Sequence, residues 1–317
     1  MLKIFILILL SIVPVFAMKT LTPTYSLETS GNAQSLVVDK DTLYVGQDNG
    51  KVEVFNLATK KLLETISIPN IIDFMGDEIP AKIYSIDKID DKLLIVSQGM
   101  KGYRNIFLYE NKKLEKIIGI ESKYFIQKAS FVSSDEIIFG LLSNQIGLYN
   151  FKMKKLFYLV QVSGSSFSHF MISEDKKSIA TTDESGKVRI LDTASSRITY
   201  EYPGINLDKV YQLDFKKGII LTAGQDRKSV VFKGNKHYEM NFDFLLYSCA
   251  LNPSASLGAV AYDENNDVMV FDIKSEEKLF NLVGQKATLT QILFKSEKEL
   301  FISSDSKSLN YFNLNTK

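Results

Sequence analysis

The chain has 317 residues, 45% of them hydrophobic, with 38 basic and 37 acidic side chains and a formal charge of +1. A near-neutral chain without basic clusters has no electrostatic footprint for nucleic acid, and its apolar share is ample for a sizeable core. Cys249 is the only cysteine, which excludes an intramolecular disulfide. Its setting reads as a strand and the thiol as buried and inert.

The chain opens on an export signal. Lys3 supplies a positive n-region, residues 4–13 are apolar apart from Ser11, and Val15 and Ala17 occupy the −3 and −1 positions of a cleavage site. The apolar run is short for a membrane span and no stop-transfer pattern follows it. The expectation is cleavage after Ala17, releasing residues 18–317 as a soluble protein; a retained N-terminal anchor is the alternative. Abundant Ile, Lys and Asn point to an AT-rich bacterial genome, in which export leads to the periplasm. Cleavage removes Lys3 alone among the charged residues and leaves 37 of each sign.

From residue 34 onward one pattern recurs. An apolar strand (34–39) leads through a turn to a second apolar strand (42–46). A polar turn follows, then a third strand ending on a bulky residue (51–55) and a more charged fourth strand (61–66). The bulky anchors are Phe55, Tyr109, Tyr149, Leu191, Phe232, Phe271 and Phe312, with steps of 54, 40, 42, 41, 39 and 41 residues. Val52 and Val54 alternate with Lys51 and Glu53, and Val188 and Ile190 with Lys187 and Arg189, which marks half-buried strands. Turn residues at 48–50, 183–186 and 263–266 suit hairpins. A four-strand unit with a period of ~40–45 residues predicts an all-β chain, a seven-bladed β-propeller. The seventh unit runs from residue 289 to 317 without a fourth strand, and residues 24–28, ahead of unit one, carry the missing pattern. An N-terminal strand added to the last blade would remove an exposed edge.

The repeats resemble the WD40 family across residues 18–317. The family's terminal Trp-Asp stands here as Phe55-Asn56, Tyr109-Glu110, Tyr149-Asn150, Leu191-Asp192, Phe232-Lys233, Phe271-Asp272 and Phe312-Asn313. With no tryptophan in the chain and no Gly-His pair, the family's full hydrogen-bond network cannot form. Asp48, Asp183, Asp226, Asp263 and Asp305 match its turn aspartate. The long first step comes from an insertion at 69–80, ahead of the second unit. An exported, Trp-free chain with that insertion and the segment 97–104 is similar to the WD40-like accessory proteins of periplasmic nitrate reductase systems in Campylobacter-type bacteria. That resemblance implies a role in maturation or assembly of the molybdenum enzyme, and brings no catalytic residue and no established binding site.

Catalytic chemistry finds little support. His169 lies in an inner strand and His237 in an outer hairpin, so the two histidines make neither a metal site nor a triad. His169 reads as a core histidine with its hydrogen bonds met, the other reading being a channel-facing ligand; His237 reads as a solvated loop residue. Residues 263–267 open like a calcium loop, but Val268 stands where the turn needs Gly and Lys274 where the ion needs Glu. No Gly-Lys-Ser/Thr phosphate cradle is present, and the lack of tryptophan argues against quinone-cofactor propellers. The expectation is therefore no catalytic residue, no cofactor and no metal.

The insertion is the clearest departure from the repeat. It sets apolar Ile71, Ile72, Phe74 and Met75 beside Asp73, Asp77 and Glu78, a composition suited to a protein-binding patch. The other reading is that Phe74 and Met75 plug one mouth of the ring. Lys101, Tyr103 and Arg104 in the next turn add a basic and aromatic rim. The partner-binding candidates are thus Asp73, Phe74, Met75, Asp77, Glu78, Lys101, Tyr103 and Arg104. The expected function is a monomeric, non-enzymatic periplasmic scaffold that binds a protein partner. The alternative is a hydrolytic, lactonase-like propeller with a metal in its central channel.

Overall fold

The computed structural model describes residues 18–315, so the expected export signal and the expected cleavage after Ala17 fall outside the described residues. Each repeat forms an antiparallel meander, and seven such sheets are arranged around a channel. Burial grades outward within a blade. The second strand of blade five, Ile219–Gly224, is buried at every position, because blades stack on both of its faces. The outermost strand of blade four, Ile198–Glu201, is exposed at every position. This gradient is why the middle strands lose strict alternation while the outer strands tolerate charge.

The innermost strands are Ala33–Asp39, Ile83–Ile89, Ile126–Phe131, Phe167–Ile172, Val210–Lys216, Cys249–Leu251 and Leu289–Phe294. Their inner edges carry backbone groups that no sheet partner takes, and side chains of the preceding blade satisfy many of them. The Ser35 hydroxyl accepts the Ile86 N–H (3.2 Å), Ser85 accepts Ala129 (3.3 Å), His169 Nδ1 accepts Leu213 (3.4 Å), Ser248 accepts Ile292 (3.0 Å) and Gln291 Oε1 accepts Leu36 (2.7 Å). These acceptors occupy equivalent places in five blades. A second tier is formed by Asp87 and Asp214, which accept the Phe131 (2.7 Å) and Leu251 (2.8 Å) N–H groups. Blade follows blade around the axis through this stitching.

Closure takes the expected form. Tyr25–Glu28 pairs antiparallel with Ser308–Asn313, setting Tyr25 opposite Tyr311 and Leu27 opposite Leu309. Leu27 is buried against Leu36, Leu43 and Phe301, and the Tyr25 and Tyr311 rings stack 4.5 Å apart. One strand was not foreseen: Lys19–Leu21 runs parallel to Lys278–Leu282 as a fifth strand of blade six. The N-terminal segment thus covers the edges of two adjacent blades.

Buried polar networks add bonds within and between the blades. Asp183 Oδ2 accepts from Asn144 (3.0 Å) and Ser163 (2.7 Å) of blade three and from Arg189 (2.6 Å) of its own blade. Its Oδ1 accepts from the Ser185 backbone (2.9 Å). Burial alone would raise this carboxyl, but the bonds from Ser185 and Ser163 and the Arg189 charge together hold it below the usual range. In blade five, Asp226 accepts from Asn206 (3.0 Å), whose carbonyl accepts from Thr222 (2.9 Å), which accepts the Val230 N–H (3.0 Å).

Candidate functional site

The insertion is a short β-ribbon rather than an irregular loop. Ile71–Ile72 pairs with Glu78–Ile79, and residues 73–77 form its tip. Its base is pinned to the propeller: the Ile68 N–H donates to Gly50 O (2.8 Å), and the Gln98 N–H of blade two donates to Lys82 O (2.7 Å). Gly50 has φ +76°, a conformation that favours glycine, and a Cβ there would crowd the Ala81 nitrogen at 3.2 Å.

Asp73 organises the tip. Its Oδ1 accepts the N–H groups of Met75 (2.8 Å) and Asp77 (2.9 Å), and its own N–H donates to Asp77 O (2.9 Å). The acid expected to face a partner is therefore occupied in holding the loop shape. Ile71, grouped in the sequence with the apolar residues of the patch, is 8% exposed and packs with Ile68, Ala81 and Ile83. The ribbon alternates, so its neighbour Ile72 faces outward at 42%. Phe74 is 94% exposed and Met75 72%. Side chains so exposed pack against almost nothing in the chain, and the reading of these two as a plug in the ring does not hold. Asp77 is exposed, and Glu78 accepts from Asn70 Nδ2 (3.0 Å).

The rim residues lie on the same face. The connection from one blade to the next and the turn between second and third strands sit at one end of every meander. Direct bonds confirm the continuity: Lys82 meets Gln98 as above, and the Arg104 N–H donates to Tyr124 O (3.0 Å) in the next connection. Met100–Gly102 forms a tight 3-10 turn in which Lys101 adopts a left-handed conformation (φ 56°) with its side chain exposed. The Tyr103 ring tilts against half-exposed Phe125 at 4.9 Å. Arg104 is the least free of the candidates. Its guanidinium lies 4.1 Å over the Tyr84 ring and donates to the carbonyls of Gly102 and Tyr103. It braces the turn.

A second constellation, absent from the sequence reading, lines the channel. The cavity holds about 460 Å³ and is bordered by the inner strands of all seven blades. Blade three places Lys128 where the other blades have Ser, His or Gln, and Lys128 Nζ sits 2.7 Å from His169 Nε2 and 3.4 Å from Met171 Sδ. Burial pulls the Lys128 ammonium down to about 8, against the opposing influence of Asp87 and Asp214. Burial and the Lys128 charge hold His169 well below its ordinary value. Asp87 is pushed up by burial despite N–H bonds from Phe131 and Lys88. Cys249, buried beside the channel, is driven well above the ordinary thiol value by burial and by Asp214, which disfavours the thiolate. Setting the seven inner strands in register would have exposed Lys128 as the odd member. Among the described residues no group of three or more His, Cys, Asp or Glu is gathered that could hold a metal ion.

The fold is that of an all-β, seven-bladed β-propeller. The chain is similar in structure to the β-propeller domain of Cps50 (Swd1) from Myceliophteria thermophila. The TM-score is 0.75 with 14% sequence identity, over 92% of this chain and 98% of that one. At that identity the likeness speaks for the fold alone. No protein-family model matches the chain, and no curated protein matches it.

Proposed function

We propose that this propeller is a non-enzymatic periplasmic scaffold whose insertion ribbon docks a protein partner, an accessory factor for maturation or assembly of a periplasmic nitrate reductase. One observation carries the docking reading: Phe74 and Met75 stand 94% and 72% exposed on a ribbon that backbone bonds hold in shape. Interfaces draw most of their energy from a few apolar or aromatic anchors, and a pre-shaped tip has less ordering entropy to lose on docking. Asp77 and Glu78 on one side and Lys101 on the other supply charges for orientation. The partner is taken from the resemblance of residues 69–80 and 97–104 to the nitrate reductase accessory proteins, and export from residues 1–17. The hydrolytic alternative would need a set of metal ligands in the channel, and none is gathered there among the described residues.

The test uses purified components of a periplasmic nitrate reductase and the propeller immobilised at neutral pH. Wild type is expected to capture one component. The Phe74→Ala, Met75→Ala double variant should keep the wild-type circular-dichroism spectrum and thermal midpoint and bind at least about 30-fold more weakly, the loss expected for a hot spot of roughly 2 kcal/mol. Capture of no component sinks the accessory role. Undiminished capture by the double variant moves the docking surface elsewhere on the molecule.

A further inference from the structure

The channel site stands apart from the ribbon, and its hydrogen bonds restrict its protonation state. At five of seven equivalent places an inner-strand side chain accepts the next blade's N–H. Lys128 occupies the blade-three place and, as an ammonium, has nothing to accept with. It does not meet an acid instead: among the described residues no carboxylate lies within 4.0 Å of its Nζ, although Lys216 in the same channel reaches Asp214 at 3.4 Å. Its near neighbours are an imidazole, a thioether and, 5.7 Å from Nζ, the Phe170 ring.

The histidine settles the direction of that contact. His169 Nδ1 accepts the Leu213 N–H, so in the neutral ring the proton resides on Nε2. Nε2–H then points at Lys128 Nζ, and the bond is completed when Nζ is a free amine with a lone pair. Asp87 and Asp214 are turned to backbone N–H groups of the next blades, Lys216 to the Leu251 carbonyl, and Cys249 to the carbonyls of Gln212 and Leu221. The remaining groups around the amine are thus already engaged, and Lys128 is left facing a cavity of about 460 Å³.

A free amine beside an N–H donor, at the wall of a cavity, is the equipment of imine chemistry. We propose that Lys128 is a reversible covalent capture site for a small aldehyde admitted to the channel, with His169 as a positioning residue. The amine lone pair attacks the carbonyl carbon, the C–N bond forms as the C=O π bond breaks, and a proton moves from nitrogen to the new alkoxide oxygen. The carbinolamine hydroxyl then leaves as water with a second proton from nitrogen, and an imine remains. No oxidant or reductant is consumed, and water reverses the step. The cavity limits the aldehyde to a small molecule. The paired charges of Lys216 and Asp214 leave no excess positive field to select an anion.

The experiment treats the purified protein with propanal and sodium cyanoborohydride at pH 7 and maps propylated lysines by peptide mass spectrometry over time. Lys128 is expected to react about tenfold faster than exposed Lys60 and Lys101, since an amine titrating near 8 has a much larger free fraction at pH 7 than an ordinary lysine. Labelling as a function of pH should show an inflection near 8 in wild type. In His169→Leu, which removes the Nε2–H donor, that inflection should move upward while the circular-dichroism spectrum is retained. Should His169→Leu fail to fold, the wild-type rates decide alone. Lys128 labelled no faster than Lys60 and Lys101 overturns the proposal, and so does an inflection at the ordinary lysine value.

Discussion

Individual residues in this propeller show how burial changes what a charge contributes. Asp183 and Arg189 are almost wholly buried and bonded to each other at 2.6 Å. Removing Asp183 leaves Arg189 with Glu201 alone (2.8 Å) and takes the acceptor from the buried Asn144 amide and from Ser163, so Asp183→Ala should cost about 3 kcal/mol, read as a shift of the urea midpoint at constant slope. The Asp183 carboxyl titrates lower in the folded protein than in the unfolded chain. Its contribution is therefore complete above the unfolded value of ~3.9 and disappears as pH falls through the lower folded value. Lys128 carries the opposite sign of effect. Its folded value is lowered to about 8, so below pH 8 the folded state bears the full cost of a buried ammonium. That cost is relieved as pH rises from about 8 towards the unfolded value near ~10.4. Lys128→Met should accordingly stabilise the protein by about 2 kcal/mol at pH 7, with the gain fading above pH 10, as measured by paired denaturant titrations of variant and wild type.

Among the elements, the N-terminal strands complete the ring, whereas the insertion ribbon is an addition to it. Tyr25–Glu28 supplies the fourth strand of blade seven, and Lys19–Leu21 lies over the edge of blade six. Deleting residues 18–29 should expose the Ser308–Asn313 edge and uncover Leu309 and Tyr311. The truncation should melt at lower temperature and elute partly as aggregate in size-exclusion chromatography, because an unpaired edge templates intermolecular pairing. An unchanged midpoint with a single monomeric peak would contradict this account of closure. The ribbon behaves differently. Replacing residues 73–78 with a Gly-Ser link leaves Ile68, Ile71 and Ala81 in their packed positions, so thermal stability should stay close to wild type while partner capture is lost. A collapse of stability in this variant would show that the tip serves the fold.

For the whole molecule, ring closure makes every blade depend on two neighbours. Side-chain acceptors on the inner strands carry continuity from blade to blade, and the Asp183 network adds bonds to Asn144 and Ser163. The channel at the centre is the one place where all seven blades meet, and there an amine in blade three and an imidazole in blade four come within 2.7 Å although 41 residues separate them in the chain.

The period of the anchors, the alternation within strands and the turn residues determined the blade count, because each is a local signal repeated seven times. The missing fourth strand also located its replacement, since a strand pattern without a blade must pair with a blade lacking a strand. Other features depended on position in space. Ile71 and Ile72 are identical in type, and only the ribbon's pairing set one inward and the other outward. Lys19–Leu21 is too short to announce itself as a strand until the edge of blade six is there to receive it. Asp73 reads in the sequence as an acid in a loop, and only the fold shows its Oδ1 accepting the Met75 and Asp77 N–H groups. Lys128 reads in the sequence as one charged residue in an apolar strand; only the closed ring brings its amine against His169 and away from the carboxylates. Tertiary structure decided these cases because burial, hydrogen-bond direction and desolvation belong to the neighbours a residue acquires, and most of those neighbours come from another blade.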